Sequence, residues 1–448
     1  MSVALRESAA VSSLRNAFFN RCCAHCFKLR ASPDNVAECE NEVFCDNCSL
    51  CFCSSTCHNT ATYHSFECDC FHSLTNTELD ADRELIRIVI RALELKNSNS
   101  HLFDQILSLP TFPTKFSDLT SDLKEHYGQV AEYITQYIPS DHVSNDVILT
   151  LCHVVNCNAF GLQDSLALGI FDVGIGLFPK LSTIPHSCVP NAVLSPVKGK
   201  SFEIRRLDPH DTSSNITISK LSSLALPLLD RREELNSMGI DCQCPRCIDS
   251  EVIRKEAKYY GWICQSCREG LLEESKETED LFCLGCGKVT RKEAISDLAN
   301  KMVQFIHLGN SQLRRTEWKL VQATFEKLLS EYSRFITKEA SNNALIRLPL
   351  MVALENLGLF DDACSHGAAA LDFVRALHPE NHPKVAEVCH QLGEVYLSKA
   401  KYLLSSKPTL AKLVRKQGRN YLEEAVRIRS ICFGENHRVT NESRKYLK

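Results

Sequence analysis

Apolar side chains at Leu85, Ile88, Val89, Ala92 and Leu93 recur at the spacing of one helix face. The pattern returns at Leu119, Leu123, Tyr127, Val130 and Ile134. These positions predict a helix with an N-cap at Thr77 and a stop at Asn97-Ser98-Asn99-Ser100, then a loop at Pro110 and Pro113. A second helix carries the residues up to Ile134, and a third runs from about Asp146 towards Phe160. Beyond Leu166 the texture changes. Short apolar stretches with glycine and β-branched residues (166–178, 192–194, 202–206 and 216–219) predict strands. A charged helix follows from Leu228 to about Met238, and from Lys292 onward the pattern is helical to the end.

Composition narrows this only modestly. At 448 residues, 44% hydrophobic and 24% charged, the chain has room for two to four ordinary globular domains. A net charge of −4 gives no overall basic surplus, so direct nucleic-acid binding is not expected. No apolar run reaches the roughly 18 residues of a membrane span, so no membrane partner is expected. Residues 1–21 lack a continuous apolar stretch, which argues against a secretory signal. Arg6, Arg15 and Arg21 mimic a transit peptide, but Glu7 and the cysteines that follow at once argue against it.

The 24 cysteines change the picture. Cys23-x-x-Cys26, Cys45-x-x-Cys48, Cys53-x-x-x-Cys57 and His64-x-x-x-Cys68 form four close pairs. Zinc takes four thiolate or imidazole ligands, so eight make two closed sites, and metal binding supplies the folding free energy of such a segment. Outside a secretory context disulfides are disfavoured, which leaves metal as the reading. Further on, Cys242-x-Cys244-x-x-Cys247 offers three thiolates and lacks a fourth. Cys264-x-x-Cys267 and Cys283-x-x-Cys286 make a self-sufficient four-thiolate ribbon, its turns helped by Gly270, Gly285 and Gly287.

The order of the first four pairs resembles the MYND zinc finger. That resemblance implies one zinc on Cys23, Cys26, Cys53 and Cys57, and another on Cys45, Cys48, His64 and Cys68. In the C-terminal part, Leu357-Gly358-Leu359-Phe360 with Ala363, and Leu392-Gly393 with Tyr396 and Ala400, resemble tetratricopeptide (TPR) repeats interrupted around 405–418. Stacked helix pairs follow from this, and a peptide-binding groove is the bolder form of the same expectation.

Taken with Pro185-His186-Ser187-Cys188-Val189-Pro190-Asn191, Cys157-Asn158-Ala159-Phe160 and Val173-Gly174-Ile175-Gly176, the whole order resembles the SMYD family. Its members combine a SET methyltransferase domain with an inserted MYND finger. The resemblance implies that Cys188 completes the zinc site of Cys242, Cys244 and Cys247. It also implies that Asn158 and His186 contact S-adenosylmethionine, although His186 equally suits a core or turn position. The expected fold is α+β and multidomain. It comprises an N-terminal stub (1–22), the finger (23–68), a helical insert (69–165) and a small degenerate β-rich SET core (166–230). A post-SET and ribbon region (231–290) and TPR-like helices (291–448) follow.

Departures from the family weigh on function. The 22 residues before Cys23 contain no Gly-x-Gly turn for the methionine part of the cofactor. Pro185 stands where the family has an asparagine, removing an amide donor. Lys220 stands where the family has its catalytic tyrosine, and Met238 and Ile240 stand where aromatics wall the lysine channel. A lysine ammonium repels a sulfonium, and no aromatic face remains for a methylammonium. The expectation is therefore a SMYD-like zinc protein, catalytically impaired, with four zinc ions and with S-adenosylmethionine argued against. It binds other proteins through the MYND finger, which in the family grips proline-containing peptides, and through the helical repeats. The alternative is an active protein-lysine methyltransferase acting on histone or cytosolic substrates. The expected compartment is nucleus, cytoplasm or both.

Overall fold

The computed structural model describes residues 3–30, 42–76, 82–138, 143–163, 172–197, 200–274 and 280–448. The first 22 residues are not a stub. They form strands β1 (Val3–Ser8) and β2 (Val11–Leu14), which complete two sheets whose other strands lie some 150 or more positions later in the chain. With β3 (Val43–Phe44) and β4 (Cys51–Phe52) inside the finger, the remaining core strands are β5 (Phe160–Gln163), β6 (Asp172–Leu177), β7 (Ala192–Val197) and β8 (Ser201–Arg206). One antiparallel sheet runs β1-β8-β7, with Leu5 opposite Ile204. A second runs β2-β6-β5, with Ser13 opposite Ile175 and Phe160 opposite Gly176. None of the six residues of β1 is buried, so no apolar alternation marks this strand in the sequence.

The expected strand at 216–219 is instead a single bridge between Ile218 and His186. The first insert helix is Arg83–Ser98, capped by Asp82, whose carboxylate accepts from the N–H groups of Glu84 and Leu85. Thr77, the expected cap, lies outside the described residues, as does much of 166–178. The first insert helix stops at Ser98 with Asn99 as its C-cap, within the expected stop, and Asn99 serves twice. It also caps a further helix, Ser100–Leu107. Helices Ser121–Tyr137 and Asn145–Asn158 follow as expected. The finger shares its core with these elements: Phe52 and Phe71 are fully buried with Ile86, Ile88 and Ile90. Gly174 is required there, because a Cβ would meet the Phe27 ring of the finger at 2.5 Å and the Ser13 carbonyl at 2.6 Å.

Helix Leu228–Ser237 leads to the second cysteine region, where β9 (Leu272–Glu274), β10 (Leu281–Cys283) and β11 (Val289–Thr290) form a small antiparallel sheet in the order β11-β10-β9. From Lys292 onward all elements are helical. The segment around 405–418 is no insertion between repeats. Pro408–Cys432 is one continuous helix lying antiparallel to Pro383–Leu403. The two backbones approach closely at Gly393 and Gly418, where a Cβ on either would meet the other's carbonyl at about 3 Å.

Candidate metal centres and the residues matched to cofactor contacts

The described ligand atoms converge in four sets, each within 4.8 Å of one another. Cys23 and Cys26 meet Cys53 and Cys57, while Cys45 and Cys48 meet His64 and Cys68. Cys188, from the loop before β7, joins Cys242, Cys244 and Cys247. The ribbon closes on Cys264, Cys267, Cys283 and Cys286. Sulfur separations are 3.6 Å for Cys26–Cys53, 3.5 Å for Cys45–Cys68, 3.6 Å for Cys188–Cys247 and 3.6 Å for Cys267–Cys283. A tetrahedron with zinc–sulfur bonds near 2.3 Å has edges of about 3.8 Å, so these sets fit zinc. They are too long for disulfides, whose sulfurs lie about 2.05 Å apart.

Each set also holds one sulfur that ionises below neutrality. The hydrogen bond from Cys26 brings Cys23 down to about 4. A hydrogen bond from Cys188 does the same for Cys244, also to about 4. Burial works against Cys45, yet the Cys48 N–H and its other donors bring it to about 6. The N–H groups of Cys267 and Ser266 take Cys264 to about 6. Thiolate is the form that binds metal. Backbone N–H groups of Gly270 and Gly285 donate to Cys267 Sγ and Cys283 Sγ (3.3 Å each), and glycine is needed at 270 because a Cβ there would collide with Cys283 Sγ.

Two buried charge clusters, unforeseen in sequence, tie these centres to the fold. Behind His64 lies the fully buried Glu67, which accepts both Arg91 Nε (2.5 Å) and Nη2 (2.9 Å). Arg91 in turn donates through Nη1 to the Ser12 carbonyl on β2 at 2.6 Å. Burial would raise Glu67, but the Arg91 guanidinium and His64 outweigh it and hold the carboxyl below its ordinary range. Behind Cys188, Arg246 donates to the Cys188 carbonyl and to the Leu377 carbonyl of the helical region (3.1 Å each). Arg246 and the fully buried Arg231 share the carboxylate of Glu256. One signal was present: Arg87 and Arg91 interrupt the apolar run 85–93 four residues apart, on a helix buried along this whole stretch.

The residues matched to cofactor contacts are engaged elsewhere. Asn158 Nδ2 donates to the Pro110 carbonyl (2.9 Å) and the Val154 carbonyl (3.1 Å). His186 Nδ1 accepts the Lys220 N–H at 2.9 Å, so the ring proton sits on Nε2, which faces Cys188 Sγ at 3.3 Å. Burial pushes His186 down to about 4, keeping it neutral. Its position is thus that of a donor behind a metal ligand. Lys220 Nζ donates to the Ser182 carbonyl at 3.1 Å, and burial lowers its pKa. Asn191 holds the segment before Lys220, its Oδ1 accepting the Thr217 N–H at 2.8 Å and its Nδ2 donating to the Asn215 carbonyl at 2.8 Å. Met238 is exposed and Ile240 half-buried.

No family model matches the chain. The Arabidopsis thaliana protein named histone-lysine N-methyltransferase ASHR1 is 26% identical over 53% of this chain and 51% of its own length. Mouse histone-lysine N-methyltransferase SMYD3 is 26% identical over 41% of this chain and 43% of its own. The zebrafish N-lysine methyltransferase SMYD2-B is 20% identical over 82% and 76%. This chain is a homologue of the SMYD lysine methyltransferases. It spans about half the length of the first two relatives and three quarters of the third. Its cysteine sets, small sheets and C-terminal helices are consistent with SMYD architecture. Among the described residues no helix is long and apolar enough to cross a membrane.

Proposed function

We propose that this homologue is a zinc-stapled protein with an impaired methyl-transfer centre, and that it acts by binding other proteins in nucleus or cytoplasm. The observation that carries the reading is Lys220. It replaces the hydroxyl expected of the catalytic tyrosine with an ammonium, and that ammonium is already used on the Ser182 carbonyl. Zinc, when bound to the four sets, supplies structural cross-links and no open coordination position for chemistry. Asn158 and His186 spend their polar atoms on the protein itself. Losing one aligned polar group from a transition state costs about a hundredfold or more. Here the tyrosine, the motif amide and the aromatic wall are all replaced. The finger is the leading docking surface, since its ligand spacing is complete.

Calorimetric titration of the zinc-loaded protein with S-adenosylmethionine tests this. No heat at millimolar ligand is expected, and micromolar binding would overturn it. Lys220→Tyr should not restore transfer to histone or cytosolic proteins. Substantial turnover in that variant would mean the other losses are tolerable. The names of the relatives favour the second reading, an active protein-lysine methyltransferase with S-adenosylmethionine as donor. That reading requires another group to do the work of the tyrosine.

A further inference from the structure

Between Val395 and Leu422 the chain carries seven lysines and arginines and no aspartate or glutamate, in a protein whose net charge is −4. This run forms the far end of the hairpin made by helices Pro383–Leu403 and Pro408–Cys432. Four large apolar side chains there face water: Tyr402 is 67% exposed, Leu404 63%, Leu410 42% and Leu413 64%. On the helical period, Ala411, Val414, Gly418 and Leu422 turn inward and are buried. Leu413, Lys412 and Lys416 fall on the opposite side and are exposed, so leucine and lysine share one outer face. Some cations of the run are occupied. Lys399 pairs with Asp361 at 2.6 Å, Arg419 donates to the Leu447 carbonyl, and Lys401 lines a recess with Glu355 and Glu394. Lys407, Lys412, Arg415 and Lys416 form no ion pair among the described residues.

Single exposed leucines are ordinary on a protein surface. Four large apolar residues within twelve positions, rimmed by charge of one sign, mark an interaction site. We propose that the 402–416 hairpin end docks peripherally on an anionic lipid surface. Leu404, Leu410 and Leu413 would enter the boundary between headgroups and acyl chains, while Lys407, Lys412 and Lys416 meet the anionic headgroups. The surface is a chain reversal with solvent on its outer side, a shape that meets a plane. The expectation of no membrane partner rests on spanning segments, and a contact in the interfacial plane needs none. The inference is independent of the methyl-donor site.

Co-sedimentation of the full-length zinc-loaded protein with phosphatidylcholine vesicles, with and without phosphatidylserine, tests it. Binding is expected with phosphatidylserine only, and it should fall as salt rises. Each of Lys407→Glu, Lys412→Glu and Lys416→Glu should weaken binding by about fivefold or more. Leu404→Ser with Leu413→Ser should weaken it while leaving circular dichroism unchanged, since both residues are exposed. Equal sedimentation with both vesicle types, or none with either, would overturn the proposal. So would capture of soluble polyglutamate through the same lysines by a protein that ignores the vesicles, because the face would then take an acidic polypeptide.

Discussion

Between residues 225 and 292, five described apolar side chains are buried, and three of them are the zinc-type ligands Cys247, Cys264 and Cys283. From Trp318 to Cys432 the buried set is Val321, Phe325, Leu328, Leu350, Leu354, Phe373, Leu392 and others like them, with no ligand among them. The first region has few buried apolar side chains of its own; the cysteine sets and the Arg231–Arg246–Glu256 cluster hold it, with Tyr259, Tyr260 and Trp262 packed against the helical core. The second is a conventional helical stack in which burial of apolar area does the stabilising. The finger lies between these cases, because its metal sets sit on a shared core with the helical insert. Neither source of cohesion uses the residues a methyl transfer would need.

The largest expected effect on this contrast is metal removal. A strong chelator should abolish amide hydrogen-exchange protection in 23–68 and 242–286 while sparing the helices between 344 and 432. Structural zinc contributes on the order of 10 kcal/mol or more to such folds. Uniform loss or uniform retention of protection would refute the contrast. Metal analysis should give four zinc ions per chain; two would mean that the Cys188 and ribbon sets are not metal sites.

Next in size is a matched pair of substitutions. Glu67→Ala strands the buried Arg91 and should cost about 3–5 kcal/mol. Leu392→Ala, in the helical stack, should cost about 2–5 kcal/mol through a cavity. Thermal melts measure both. The distinguishing readout is zinc release to a chromophoric chelator, which Glu67→Ala should accelerate and Leu392→Ala should leave unchanged. Equal release from the two variants would show that the His64–Glu67–Arg91 link does not support the metal.

The smallest effect is acid sensitivity. Burial would raise Glu256, but Arg246 and Arg231 hold its carboxyl below the ordinary value. A depressed folded-state pKa stabilises above the unfolded pKa, near 4.3, and that stability is lost as pH falls through the depressed value. Denaturant melts should therefore show wild type losing stability below pH of about 4 more steeply than Glu256→Gln. Parallel pH profiles would remove this carboxylate from the account.

Much of this was readable from the chain. Ligand spacing is a local property, so the zinc sets were visible as pairs, and helical periodicity exposed the insert and the C-terminal stack. Departures such as Lys220 and Pro185 are single letters and need no coordinates. What escaped was non-local. Strands β1 and β2 were missed because their partners lie far along the chain. The bridge at Ile218 replaced an expected strand because it pairs only once. The charge clusters of Glu67 with Arg91 and of Glu256 with two arginines depend on which buried faces meet.

By itself, then, the sequence determined the chemistry on offer: which sulfurs can bind metal, which helices have an apolar stripe, and that a lysine, Lys220, stands where the family resemblance expects a tyrosine. Those follow from side-chain identity and short-range geometry. Tertiary structure alone decided how the pieces were spent. It directed His186 towards a zinc-ligand sulfur, occupied Asn158 and Lys220 with backbone carbonyls, and left Lys407, Lys412, Arg415 and Lys416 without an ion pair among the described residues. The physical reason is that a polar atom's role is set by whatever it meets on burial, and those neighbours come from distant parts of the chain.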